Sequence, residues 1–251
     1  MDDEIIENDT GHFVVPGGAD HDWVVNTIRA GRVFDQHIAD WIFEFYSGGH
    51  IFDIGANFGQ LSVYFHRRLR RFHADNPQAA SRGRVFSFEA SPFVYPYCKR
   101  NLAHNCGVEV KTVFGAVWNA VGEAVYFPIF DPSVEPTYGS YALQTVQHEG
   151  VPVATITIDA LRIAERVGAM KIDAQGSDLR VLEGAFETIT RWRPVICVEF
   201  EGRFMEQFGY SYSDFEYFLR FAGYRIERGG REGDREITAM DTLNLLCLPR
   251  A

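Results

Sequence analysis

Apolar and polar positions along this chain follow two rhythms that keep replacing one another. Ile51-Phe52-Asp53-Ile54 is short and almost wholly apolar, the pattern of a strand buried on both faces. Gly55 and Gly59 close it, and Leu61, Tyr64, Phe65 and Leu69 then recur at helical spacing, which predicts a helix from Gly59 to about Arg71. Residues Arg84–Phe88 form a second strand. The helix after it has Val94, Tyr97, Cys98 and Leu102 on its inner face, with Ser91 as N-cap and Pro92 at its first position. Val108–Phe114 is a third strand. Strands and helices alternating in this way make a parallel sheet joined by helical crossovers, an α/β fold.

On the N-terminal side, residues 1–20 are polar and glycine-rich around Pro16, Gly17 and Gly18, which predicts a mobile arm followed by a surface hairpin or turn. Trp23–Ile28 reads equally as a helix or an extended piece. Ile38, Trp41, Ile42 and Phe45 share one side of a helix that Ser47, Gly48 and Gly49 end. Residues 1–49 are thus an arm and helical lead-in, and 50–251 the main domain. After the third strand the rhythm lapses, and an insertion at about 118–156 is expected. It comprises a turn at Trp118–Gly122, a return strand Ala124–Phe127, an irregular stretch over 128–150, and a strand marked by Val151, Val153 and Thr155. A helix over Ile158–Val167 and a strand Ala169–Asp173 follow. Gly176 then opens one helix with Leu179, Leu182, Phe186 and Ile189 inward, and Pro194–Phe200 is a strand. Ser211 caps a helix with Phe215, Phe218, Leu219 and Ala222 inward and Gly223 as its stop. Tyr224–Glu227 and Thr242–Leu248, around a turn at 229–236, close the sheet as an antiparallel pair.

Composition narrows the function. The 251 residues are 46% hydrophobic, enough for one large core. With 24 basic against 34 acidic residues the net charge is −10, which argues against broad binding to nucleic acid or to an anionic membrane. An acidic start and no long apolar run predict neither a signal peptide nor a membrane span, hence a cytoplasmic protein. Cys98, Cys106, Cys197 and Cys247 are scattered without a C-x-x-C pair and read as buried, reduced thiols. No His, Cys or acid has zinc-ligand spacing, and neither a Walker loop nor a Gly-x-Ser-x-Gly elbow occurs, so no metal is expected.

The acids carry the chemistry. Asp53, Glu89, Asp173 and Glu199 each fall at the carboxyl end of a strand, where an open parallel sheet takes its ligand. A strand, a glycine turn and a helix together offer unpaired N–H groups to a nucleotide. Asn57 stands where a dinucleotide loop needs its second glycine, and the Asp53 carboxylate would repel a pyrophosphate but not the ammonium of S-adenosylmethionine. Glu89 suits the ribose hydroxyls, and Gly55 and Gly59 let the backbone approach a ligand. For Asn57 both a donor role toward a carboxylate and a helix-cap role stay open. So do adenine contact and ordinary packing for Trp118, and a pocket or surface place for His148. Tyr138, Ser140 and Tyr141 share the insertion with His148. His66 and His73, beside Arg67, Arg68, Arg70 and Arg71, read as surface residues.

The chain resembles the FkbM family of S-adenosylmethionine-dependent methyltransferases. The resemblance rests on Asp53–Gly59, Phe88–Pro92, Asn101, Gly115–Val117, Thr157–Asp159, Lys171–Asp178, Leu182–Gly184 and Arg193–Glu199, over roughly residues 50–200. The block at 171–178 followed by 182–184 singles out the family. The resemblance implies a class I methyltransferase fold, Rossmann-like, with a mostly parallel seven-stranded sheet and helices on both faces. It implies S-adenosylmethionine as cofactor and O-methylation of a small molecule, a sugar or a natural-product hydroxyl. It places Asp53, Gly55, Ala56, Asn57, Gly59, Glu89, Ala90, Ser91 and Ala116 on the cofactor side, with Asp173 between cofactor and reaction. A protonated hydroxyl needs a base, for which Asp173 comes first and His148 second, with Glu199 as an orienting group. The family block reads Lys-Ile-Asp-Val-Glu-Gly-Ala-Glu, whereas here Gln175 and Asp178 replace its two glutamates. Glutamine cannot take a proton. N-methylation of an amine, and a binding protein that keeps the fold without turnover, therefore stay open beside the O-methyltransferase. The expected partner is a small-molecule acceptor, and a homo-oligomer is compatible with the sequence.

Overall fold

The chain opens with a hairpin of β1 (Glu4–Asn8) and β2 (Gly11–Val15), followed by α1 (Trp23–Arg29) and α2 (Gln36–Phe45). The computed structural model describes residues 2–79, 82–131, 135–145, 150–229 and 241–250. The alternating unit is β3 (His50–Ile54), α3 (Gln60–Asp75), β4 (Val85–Glu89), α4 (Tyr95–Cys106) and β5 (Lys111–Phe114). The insertion contributes β6 (Ala116–Val117), β7 (Ala124–Pro128) and β8 (Gly150–Ile156). The chain then returns through β9 (Val167–Ile172), α5 (Asp178–Glu183), α6 (Phe186–Trp192), β10 (Val195–Glu201), α7 (Gly202–Met205) and α8 (Tyr212–Phe221), and ends in β11 (Tyr224–Arg228) and β12 (Thr242–Pro249).

The seven-stranded sheet runs β11-β12-β10-β9-β3-β4-β5. Every pairing among β10, β9, β3, β4 and β5 is parallel, and β12 is antiparallel to both its neighbours. Strand order reverses between β3 and β9, and such a reversal opens a crevice at the carboxyl ends. Every position of β3 and β9 is buried, which explains why they are largely apolar, with Asp53 and Lys171 facing one another as exceptions. One core, with Ile28, Ile42, Phe58, Phe65 and Leu102, joins α1–α4 to one face of the sheet. The other, with Ile172, Leu182, Ile189, Val198 and Phe215, joins α5, α6 and α8 to the opposite face. In the insertion β8 pairs with β6 and β7 around fully buried Trp118.

Several local expectations are corrected. The N-terminal residues are no mobile arm, because the hairpin docks on α4 through two asparagines. Asn101 accepts from Val14 N–H at 2.7 Å and donates to Phe58 O at 3.0 Å, and Asn105 accepts from His12 N–H at 3.0 Å. Trp23–Ile28 is helical, with Asp22 accepting from Val25 N–H at 2.8 Å. The helix expected over Ile158–Val167 shrinks to a 3₁₀ turn at Asp159–Leu161. Asp159 spends its carboxylate on the next helix, accepting from Glu187 and Thr188 N–H at 2.9 Å each, while Arg162 turns left-handed. The single helix after Gly176 is two, broken where Gly184 passes so close to the Trp118 carbonyl that a Cβ would lie 1.9 Å from it. α4 starts at Tyr95 because the Ser91 hydroxyl accepts from Phe93 and Val94 N–H in a preceding turn. The predicted cap at Ser211 forms as a full capping box with Asp214. The final turn at 229–236 lies, beyond Gly229, outside the described residues.

Candidate active site

The site begins with a buried lysine. Asp53 and Lys171 are register partners on β3 and β9, and the Lys171 ammonium donates to Gly55 O at 2.9 Å and to Asp173 Oδ2 at 3.2 Å. It stands 3.6 Å from Asp53 Oδ1, which has no hydrogen-bond partner among the described residues. Asp53 Oδ2 accepts from Ser62 Oγ at 2.5 Å. Burial alone would lower the Lys171 pKa, but attraction to Asp173 and Asp53 raises it above its ordinary value. Burial raises Asp53, which Lys171 and Ser62 only partly offset. Asp173 also feels burial, yet Lys171 and the hydrogen bonds from Glu199 and Gln175 hold it below the usual carboxylate range. The lysine charge is therefore answered chiefly by Asp173.

The turn above this lysine is held by an acid from the neighbouring strand. Glu89 accepts from Asn57 N–H at 2.8 Å and from Ser91 N–H at 2.7 Å, one bond to each oxygen. Each oxygen keeps a second lone pair for a ligand. With no cation bonded to it, burial pushes Glu89 up to about 7. Asn57 is left-handed, and its side-chain oxygen accepts from Phe58 N–H at 2.7 Å within the turn, so it does not cap α3, whose N-cap is Gly59. Gly55 has φ 78°, and a Cβ there would fall 1.8 Å from Asp173 O, so the two turns touch backbone to backbone. Gly59 is also left-handed but packs on Leu102 of α4.

On the other side of the reversal, Gln175 bridges two acids. Its amide nitrogen donates to Asp173 Oδ1 at 2.9 Å and to Glu199 Oε2 at 3.2 Å. Burial and then the Asp173 charge hold Glu199 well above the ordinary range, so the pair keeps its charge on Asp173 and its proton on Glu199. Asp178 pins the turn that presents Gln175, accepting from Ala174 N–H at 2.6 Å and Gly176 N–H at 2.9 Å.

A narrow cleft of about 80 Å³ runs over the strand ends, lined by Gly55, Asn57, Glu89, Ala90, Ala116, Tyr138 and Asp173. Beside it opens a cavity of about 540 Å³ with Trp23, Phe34, Asp35, Ser140, Glu199, Glu201, Arg203, Thr242 and Asn244 in its wall. Asn57, Gly139, Asp173 and Gln175 belong to both. Residues 135–145 are fastened to α1, since Tyr138 N–H donates to the buried Asp22 carboxylate at 2.8 Å. Ala56 lines a third, smaller hollow next to the cleft. The Ser91 side chain is committed to its own turn. Trp118 packs inside the inserted sheet and donates to Glu123 at 2.6 Å, which settles it as a core residue. His66 is a correction, because it is buried, 3.2 Å from Glu109. His148 lies outside the described residues. Lys171 and Asp35 were not singled out from the sequence, and Asp178 was noted there only as a departure from the family block. A lysine inside an otherwise apolar strand was the available signal for the first.

Residues 53–226 match the Methyltransferase FkbM domain, and the chain belongs to the FkbM methyltransferase family. No curated protein matches the chain. Solved structures similar to it include methyltransferase FkbM from Methylobacillus flagellatus KT, 16% identical, covering 80% of this chain and 44% of that one, with a TM-score of 0.42. The tRNA (uracil-54, C5)-methyltransferase of Pyrococcus abyssi, in complex with S-adenosyl-L-homocysteine, is 13% identical, covering 99% and 44%, with a TM-score of 0.48. Magnesium protoporphyrin IX methyltransferase from Synechocystis PCC 6803, with S-adenosylmethionine bound, is 10% identical, covering 86% and 77%, with a TM-score of 0.45. The chain thus spans less than half the length of the first two. Among the described residues no helix is long and apolar enough to cross a membrane.

Proposed function

We propose that the protein methylates a hydroxyl of a small, polar acceptor such as a sugar or natural product. The observation that carries this reading is the wall shared by the narrow cleft and the larger cavity, with ionised Asp173 in it. The residues fit the cofactor. Glu89 offers unused lone pairs to ribose hydroxyls, Ala90 and Ala116 make an apolar slot, and the Gly55 turn admits a ligand against bare backbone. When bound, S-adenosylmethionine supplies an electrophilic methyl group on a sulfonium. Asp173 places a negative charge beside that group and takes the acceptor proton. Its lowered pKa makes it a weak base, which suffices for an oxygen made acidic as its new bond forms. Glu199 carries a proton and orients the acceptor, while Gln175 sets the distance between the two acids.

The test is methyl transfer from isotopically labelled cofactor to a panel of sugars and alcohols and to their amine counterparts, read by mass spectrometry. Product from hydroxyl acceptors is expected, with Asp173→Asn lowering kcat by roughly 10²–10⁴-fold. Product from amines alone would overturn the hydroxyl assignment.

A further inference from the structure

Asp35 occupies a helix-cap position and does not cap. Its carbonyl accepts from Ile38 N–H at 2.9 Å, but its side chain makes no capping hydrogen bond to α2. Its backbone is left-handed at φ 52°, a conformation that aspartate and asparagine adopt more readily than other side chains. The carboxylate meets His37 Nδ1 only at 3.9 Å, too long for a hydrogen bond. It lines a hollow of about 40 Å³ with Val24, Phe34, Gly55, Leu61 and Lys171. Gly55, Asn57 and Asp173 are common to this hollow and the cofactor cleft.

The opposite wall of the hollow has the complementary charge. The first intrahelical bond of α3 runs from Val63 N–H to Gly59 O, which leaves the N–H groups of Gln60, Leu61 and Ser62 without helical partners. Gln60 and Leu61 line the hollow. A zwitterion fits between the walls, its carboxylate toward the positive end of a 16-residue helix and its ammonium toward Asp35. Gln60 ties the walls together, accepting from Phe34 N–H at 3.0 Å and donating to Arg32 O at 2.7 Å. We propose that Asp35 receives the α-ammonium of the cofactor's methionine end, with Gln60 as the positioning residue that sets its distance from α3. The inference rests on the placement of the cofactor given above. Burial raises the Asp35 carboxyl, and an arriving cation would relieve that penalty.

Titration calorimetry with three probes tests it: S-adenosylhomocysteine, its desamino analogue that keeps the carboxylate, and 5′-methylthioadenosine, which lacks the amino-acid end. Wild type should prefer S-adenosylhomocysteine to the desamino analogue by roughly 10- to 100-fold, the usual range for a hydrogen bond to a charged group. Asp35→Asn keeps the size and tolerates the left-handed backbone. It should reduce that preference to near unity and leave 5′-methylthioadenosine affinity unchanged. Gln60→Ala should reduce the preference part of the way. A preference that survives D35N, or equal weakening of all three probes, overturns the inference while leaving the cofactor placement intact. Wild-type protein that binds none of the probes overturns both.

Discussion

Glu89 and Asp173 face one cleft from the ends of neighbouring parts of the sheet, yet they titrate in opposite directions. Glu89 accepts two hydrogen bonds and Asp173 three. Those to Glu89 come from backbone N–H groups, and burial still carries it to about 7. Those to Asp173 come from Lys171, Gln175 and Glu199, and it stays below its ordinary value although burial acts on it too. Two neutral donors do not cancel the cost of hiding a charge at Glu89, whereas at Asp173 a buried cation, the largest favourable influence, does so together with two neutral donors. The cleft is therefore charged at Asp173, whereas Glu89 is only partly ionised near neutral pH.

The largest expected effect comes from removing the source of that asymmetry. Lys171→Met leaves two carboxylates without their cation and should cost about 3–5 kcal/mol of stability, measured by urea denaturation. A cost below about 1 kcal/mol would mean that Lys171 is not what distinguishes the two sides. A smaller effect is expected at Glu89. Glu89→Ala should weaken S-adenosylhomocysteine binding by about 1–3 kcal/mol. Because the ionised carboxylate is the better acceptor for ribose hydroxyls, wild-type affinity should rise as pH passes upward through about 7, and Glu89→Gln should flatten that rise. Stability runs the other way. A raised folded pKa means that the Glu89 contribution is full below about 4.5 and is lost as pH rises through about 7. A pH-independent affinity in wild type would place Glu89 outside the ribose contact. The smallest effect belongs to Gly139→Ala, whose Cβ would sit 2.6 Å from Asn57 Nδ2, the movable end of a side chain. A loss of about 0.5–1 kcal/mol in chemical denaturation is expected. A much larger loss would show that residues 135–145 form a rigid wall.

Strand ends were legible in the sequence because a run such as Val195–Val198 must be buried on both sides, and an acid directly after such a run has few places to go. Partnership was not legible. That Lys171 lies beside Asp53 depends on the β3–β9 register, which joins segments remote in sequence. The α5–α6 break depends on Gly184 meeting Trp118, and nothing near Gly184 announces it. Asp35 escaped notice for a different reason. Aspartate before a helix normally reads as a cap, and only the structure shows that its carboxylate makes no capping bond and faces the hollow instead.

The larger cavity has one further consequence, which concerns inheritance. Trp23, Phe34 and Asp35 in its wall precede the segment shared with the family, residues 53–226, and Thr242 and Asn244 follow it. On the proposed reading, most of the methyl-donor half lies in the common stretch, with Asp35 the exception, whereas much of the acceptor half lies in its flanks. A lineage built this way could exchange the molecule it modifies by revising the two ends of the chain around Asp35, with most of the donor machinery copied unchanged.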